Sequence, residues 1–167
     1  MDELTIAELA GLSDAEFVDT LGSVYETSPW VAERVLEDRP FASPEELHNA
    51  MAQAVENATE EKQLALLRAH PALGEQTGMT EASEQEQASA GLDQLTPDQY
   101  ERFQELNETY EERFGFPFIM AVKNASPDAI QQRMEDRLDQ SQSAEFETAL
   151  NEVHEIARLR IDDRIQP

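Results

Sequence analysis

Apolar residues recur at helical spacing along nearly the whole chain, and most of these stretches begin at a residue whose side-chain oxygen can cap a first helical turn. Ser13-Asp14-Ala15-Glu16 opens a helix carrying Phe17, Leu21 and Val24. Ser28-Pro29-Trp30 opens a short one, and Ser43-Pro44-Glu45-Glu46 opens another that runs through Met51 and Val55. At such starts an N-cap oxygen, often with Pro next and Glu or Gln third, satisfies amides that have no partner inside the helix. Thr59 precedes Leu64, Leu66 and Leu67 in a helix that must stop near His70, because Pro71 disfavours helical backbone in the residue before it. After a loop containing Gly74 and Gly78, Thr80 begins a helix running to about Leu92. Thr96-Pro97-Asp98-Gln99 begins a long one that ends at Phe114, with Gly115 as its C-cap, and Ser126-Pro127 and Ser143 start the last two. The pattern predicts an all-α, single-domain bundle of about eight helices spanning residues 1–167.

One stretch departs from helical spacing. Phe114-Gly115-Phe116-Pro117-Phe118-Ile119-Met120-Ala121-Val122 is an apolar run too short for a helix of its own and interrupted by Pro117, and no strand partners stand elsewhere. It reads as an extended core segment near 115–122. Such a segment leaves main-chain amides and carbonyls outside any helical ladder, to be satisfied by other groups or by a ligand. On the pattern alone it is either a core plug or part of a site.

Composition narrows the function. A chain of 167 residues fits one domain, and its formal charge of −24 disfavours nucleic acid and anionic membranes, which need Lys and Arg against phosphate. Without cysteine there is no disulfide or thiolate chemistry. No stretch approaches the roughly 18 apolar residues of a spanning helix, and Met1-Asp2-Glu3 lacks the basic start of a signal peptide, so a soluble, cytoplasmic protein is expected. The twelve basic residues are two lysines, Lys62 and Lys123, and ten arginines. So acidic and lysine-poor a surface suits a cytosol of very high salt, where charge repulsion is screened to a few ångströms, and points to a halophile. Disorder, the other reading of such acidity, is opposed by the helical periodicity.

Metal-site, phosphate-loop and dinucleotide patterns are absent, so any catalysis must be acid/base. Of three histidines, His48 sits among polar neighbours and His154 lies about a quarter turn from its helix's apolar stripe, whereas His70 follows Leu66 by four and Leu67 by three. His70 therefore falls on a buried face at a helix end, as a capping group or as a catalytic one. On a wheel of about 100° per residue centred on Val153, Arg160 falls near 340°, on the stripe of Phe146, Leu150 and Ala157, and Arg158 near 140°, off it. A buried guanidinium needs a carboxylate, a carbonyl or a bound anion. Ser83 and Glu86 share a helix face with Ala82 and Ala90, which is either a solvated polar face or a site that admits close approach.

These residues together resemble the OHCU (2-oxo-4-hydroxy-4-carboxy-5-ureidoimidazoline) decarboxylase family. The resemblance rests on Phe17-Val18, Ser28-Pro29-Trp30-Val31-Ala32-Glu33, Ala69-His70-Pro71, Ser83 with Glu86-Gln87, Ala90-Gly91-Leu92, Asn107, Tyr110, Phe114-Gly115-Phe116-Pro117-Phe118-Ile119 and Ile156-Ala157-Arg158-Leu159-Arg160, in order over roughly residues 10 to 165. Asn124 in place of a common Gly, and the loop at Gly74-Glu75-Gln76, depart from the pattern. The resemblance implies a cofactor-free, homodimeric, all-α enzyme that makes (S)-allantoin from a small ureidoimidazoline, with no metal. It places the catalytic histidine on His70 and its acidic partner on Glu86. Substrate-binding positions fall on Pro71, Ser83, Glu84, Gln85, Gln87, the main chain of Phe118, Ile119, Met120, Ala121 and Val122, and Arg160. Two other readings compete: a helical interaction module that docks through Trp30 and the aromatic run, and a hydrolase of a related ureide.

Overall fold

A computed structural model of the chain describes residues 4–74, 79–123 and 125–167. Among the described residues the helices are α1 (Ile6–Leu9), α2 (Asp14–Leu21), α3 (Trp30–Arg34), α4 (Pro44–Glu56), α5 (Glu60–Arg68), α6 (Glu81–Ser89), α7 (Pro97–Phe114), α8 (Pro127–Arg137) and α9 (Gln142–Arg164). Tight 3-10 turns at Leu36–Asp38 and Leu92–Gln94 complete the helical content. No helix of the described residues is long and apolar enough to cross a membrane.

The caps explain the boundaries. Ser13 and Thr96 form full capping boxes with Glu16 and Gln99, and Ser43, Thr59, Thr80 and Ser126 each accept a hydrogen bond from the amide three residues on. Gly115 closes α7 at φ 83°, a left-handed conformation that costs a residue with a Cβ. Four details differ from the sequence reading. α2 ends at Leu21, before the buried Val24, with Gly22 as its C-cap. Ser28 does not cap α3, because its hydroxyl donates to the Glu26 carbonyl instead. α6 ends at Ser89, since Gly91 turns left-handed (φ 78°) and Leu92 starts a 3-10 turn. α9 begins at Gln142, capped by the hydroxyl of Ser141 rather than started by Ser143. Two further features lie outside the predicted pattern: α1, capped by Thr5, and a short parallel pairing of β1 (Leu4–Thr5) with β2 (Ile165–Gln166).

The chain divides into two compact units, Met1–Ala69 with His154–Pro167, and His70–Val153. α9 contributes its residues through Val153 to the second unit and those from His154 onward to the first. In the first, Phe17, Leu21, Val31, Leu47, Met51, Val55, Leu67 and Ile161 are sealed from solvent. In the second, Phe103, Tyr110, Phe116, Phe118, Ile130, Met134 and Ala149 are the buried counterpart. The run from 114 to 122 belongs to no strand, as expected, and its Phe116, Pro117, Phe118 and Ile119 are buried.

Candidate active site

His70 follows the C-cap of α5 at Ala69, where Pro71 prevents another helical turn, and its side chain is buried (8% exposed). The chain beyond it is tied to two helices. Gln87 of α6 accepts from the Gly74 N–H through Oε1 (2.9 Å) and donates through Nε2 to the Ala72 carbonyl (3.4 Å). Asn107 of α7 donates Nδ2 to the Leu73 carbonyl (2.9 Å), while its buried Oδ1 has no partner among the described residues. Gly74 turns at φ 85°, and a Cβ there would lie 3.3 Å from Leu95, so the loop that carries His70 and Pro71 ends at a position suited to glycine.

On α6 the spacing of three that linked Ser83 and Glu86 describes a real inward face, which Gln87, four residues on from Ser83, shares. Ser83 and Gln87 are buried (4% and 5% exposed), Ala90 is buried and Glu86 is half-buried, so the solvated-face reading fails here. Glu84 and Gln85 are exposed on the opposite side, Gln85 near Glu81. Thr80 sets the start of this face by accepting from the Ser83 amide. His70, Pro71, Ser83, Glu86, Gln87 and the 118–122 segment all belong to the second unit. Of the loop residues singled out from the sequence, Glu75, Gln76 and Gly78 lie outside the described residues, as does Asn124.

The 118–122 segment is held by a buried polar cluster that the sequence reading passed over. Arg137 of α8 and Glu145 of α9 are 3% and 0% exposed. Arg137 donates Nη1 to the Ile119 carbonyl (2.6 Å) and Nε to Glu145 Oε1 (2.5 Å), its Nη2 lies against the same oxygen, and its Cζ sits 4.4 Å above the Phe118 ring. The Tyr110 hydroxyl donates to that oxygen as well (2.5 Å), and burial first, then this bond, pushes the phenol's pKa up. Farther along, the Ala121 amide donates to Glu152 Oε1 (3.2 Å). No hydrogen bond among the described residues is made by the amides of Ile119, Met120 or Val122. Ile130, Met134 and Arg137 recur at four and three on α8, a signal that would have found the arginine.

In the first unit the last helix is oriented as its wheel indicates. Arg160 is buried (4% exposed) and donates Nη2 to Glu26 Oε2 (2.9 Å) and Nη1 to the Ser23 carbonyl (3.0 Å). Arg158 is exposed, pairs with Glu155 and Asp162, and by its hydrogen bond holds the Glu155 carboxyl below its ordinary pKa. His154 is no bystander: its Nδ1 meets the Tyr25 hydroxyl (2.8 Å), its Nε2 meets Glu56 (2.9 Å), and its carbonyl meets His48 Nε2 (2.8 Å). Trp30 is half-buried, with the charged ends of Arg34 and Lys62 about its ring at 5.3 and 5.1 Å. Among the described residues no group of three or more His, Asp or Glu side chains converges as metal ligands would.

The OHCU decarboxylase family model matches residues 10–162. A 2-oxo-4-hydroxy-4-carboxy-5-ureidoimidazoline decarboxylase of Haloferax volcanii is 62% identical over 98% of this chain and 98% of its own length. One of the same description from Halalkalicoccus jeotgali is 57% identical over 100% of this chain and 95% of its own. Among solved structures, an (S)-allantoin synthase superposes with a TM-score of 0.80 at 32% identity, covering 97% of this chain and 54% of that one. A family match running through both units, joined to near-full-length identity with two of its members, places the chain in the OHCU decarboxylase family.

Proposed function

We propose that the chain is a carboxy-lyase that converts 2-oxo-4-hydroxy-4-carboxy-5-ureidoimidazoline to (S)-allantoin in urate degradation. The observation that carries this is the 62% identity to the Haloferax volcanii decarboxylase across 98% of both chains. The geometry supports it, since the features the resemblance marks in the second unit, the His70 loop, the Ser83–Gln87 face and the 118–122 segment, are buried or held by side chains rather than left as mobile surface.

The chemistry asks for positioned proton donors and little else. Breaking the bond from the hydroxyl-bearing ring carbon to the carboxylate releases CO2 and leaves an electron pair, which the neighbouring C=N bond accepts as a conjugated anion. The hydroxyl then becomes the ring carbonyl, and a proton delivered to one face of the ureido-bearing carbon sets the S configuration. In this reading His70 donates or shuttles that proton, and Glu86 orients and charges it or holds the substrate's hydroxyl. Pro71, Ser83 and Gln87 are assigned to the binding surface, whereas the side chains of Glu84 and Gln85, exposed on the opposite side of α6, are not part of it. Arg160 is assigned to a ring carbonyl or the ureido oxygen, because gripping the leaving carboxylate would stabilise the ground state and oppose its loss.

We further take the whole chain as one domain, a homodimer of a halophile's cytoplasm; the match over residues 10–162 and the origin of the two relatives in haloarchaea support the first and the halophile reading. A docking module would need its aromatic run exposed, and Phe116 and Phe118 are fully buried. The test is to supply substrate freshly generated from urate and follow it by circular dichroism. With the protein, substrate loss accelerates and optically active allantoin forms; a racemate at the background rate would overturn the assignment.

A further inference from the structure

We propose that Arg137 is a positioning residue that acts on the substrate through a peptide bond, aiming the Met120 N–H and strengthening it as a donor to the charge that develops when CO2 leaves. The inference rests on the proposed decarboxylase reading. The Ile119 carbonyl and the Met120 N–H belong to one planar trans peptide, so the two bonds point in opposite directions and fixing one aims the other. Arg137 fixes the carbonyl with a charge-assisted bond of 2.6 Å and, through its stacking on Phe118, also holds the residue before it. A cation on a peptide carbonyl draws electron density toward oxygen and leaves the N–H more positive, so hydrogen bonds on the two sides reinforce each other.

That N–H is open. Among the described residues it has no hydrogen-bond partner, whereas the next amide, Ala121, is taken by Glu152 Oε1. Met120 is half-buried, directly after the buried Ile119. Packing alone gives no reason for the arrangement, because a buried ion pair with a tyrosine is commonly replaceable by apolar side chains without loss of stability. Glu145 and Tyr110 complete it by holding the guanidinium in place: Glu145 Oε1 accepts from Arg137 Nε and from the Tyr110 hydroxyl, each at 2.5 Å. During the reaction the carbon–carbon bond breaks, CO2 departs, and its electron pair passes into the ring C=N system. A preorganised amide donor facing that system lowers the barrier while leaving the carboxylate loosely held.

The test uses the intact protein in three forms: Arg137→Lys, which keeps the charge but loses the fork; the triple variant Arg137→Met/Glu145→Leu/Tyr110→Phe, which replaces the cluster with apolar volume and so protects the fold; and the exposed control Arg133→Gln. Two readouts are taken, turnover per folded molecule and the amide 15N shift of Met120 without substrate. Loss of a donor's strength in the transition state predicts that the triple variant loses about tenfold or more in kcat with KM within about twofold, that Lys restores part of it, and that the control matches wild type. The Met120 nitrogen should move upfield in the triple variant and less in the Lys variant. A folded triple variant with kcat within about twofold of wild type, or with an unmoved Met120 shift, would overturn the proposal. The shift is read without substrate, so it separates this proposal from failure of the decarboxylase assignment, which would appear as inactive wild-type protein.

Discussion

Arg160 and Glu26 form an ion pair of 2.9 Å in which both side chains are almost wholly sealed from water, at 4% and 2% exposed. Two residues away on the same helix, Arg158 pairs with Glu155 and Asp162 in open solvent. Removing one member of the buried pair leaves an uncompensated charge, so Arg160→Met should cost roughly 3–5 kcal/mol of stability, whereas Arg158→Met should cost at most about 1 kcal/mol. Arg160→Lys keeps the charge and loses the two-oxygen fork; it should stay folded and lose catalytic efficiency. Chemical unfolding and turnover on the same variants check this, and equal small losses at both positions would contradict it.

The His70 loop depends on Gln87. Replacing it with Met keeps the volume but removes the bonds from Gln87 to the Gly74 amide and the Ala72 carbonyl, at a cost of about 1–3 kcal/mol. Hydrogen exchange at the Gly74 amide should quicken and kcat should fall. Exchange at the wild-type rate would show that something else holds the loop.

Burial holds the His48 imidazole below its ordinary pKa of 6.5, opposed by its bond to the His154 carbonyl. The unfolded chain therefore binds that proton more readily than the folded one. Stability contributed above pH 6.5 begins to fall as the pH drops below that value and is fully lost once the pH is under the folded pKa. His48→Gln, which can still donate to the carbonyl, should flatten the acid side of a plot of melting temperature against pH. An unchanged slope would contradict the assignment.

A net charge of −24 repels itself unless the Debye length is short, and it reaches ~3 Å only near 1 M salt. The melting midpoint should rise between low and multimolar KCl. A midpoint unchanged or lowered by salt would speak against the halophile reading.

What was legible in the sequence was whatever local chemistry decides. Ser13, Ser43, Thr59, Thr80, Thr96 and Ser126 cap where their own neighbours require it, and the helical wheel separated Arg160 from Arg158 because both lie on one regular helix. Ser28 and Ser143 show the limit, since a hydroxyl can serve a nearby carbonyl instead, or stand beside a better-placed Ser141. Long-range partners were not legible: Tyr25 and Glu56 reach His154 across 129 and 98 residues, and nothing local to any of them indicates the others. Arg137 lies between these cases, because its stripe on α8 was readable but its grip on Ile119 was not.

Decarboxylation with His70 as the acid/base group is decided by comparing wild type with His70→Gln on freshly made substrate, following allantoin by circular dichroism. General acid/base groups contribute about 10²–10⁴-fold, so the variant should keep its helical signal yet form optically active (S)-allantoin at least about a hundredfold more slowly. A folded His70→Gln protein that makes (S)-allantoin within about threefold of the wild-type rate would contradict the account.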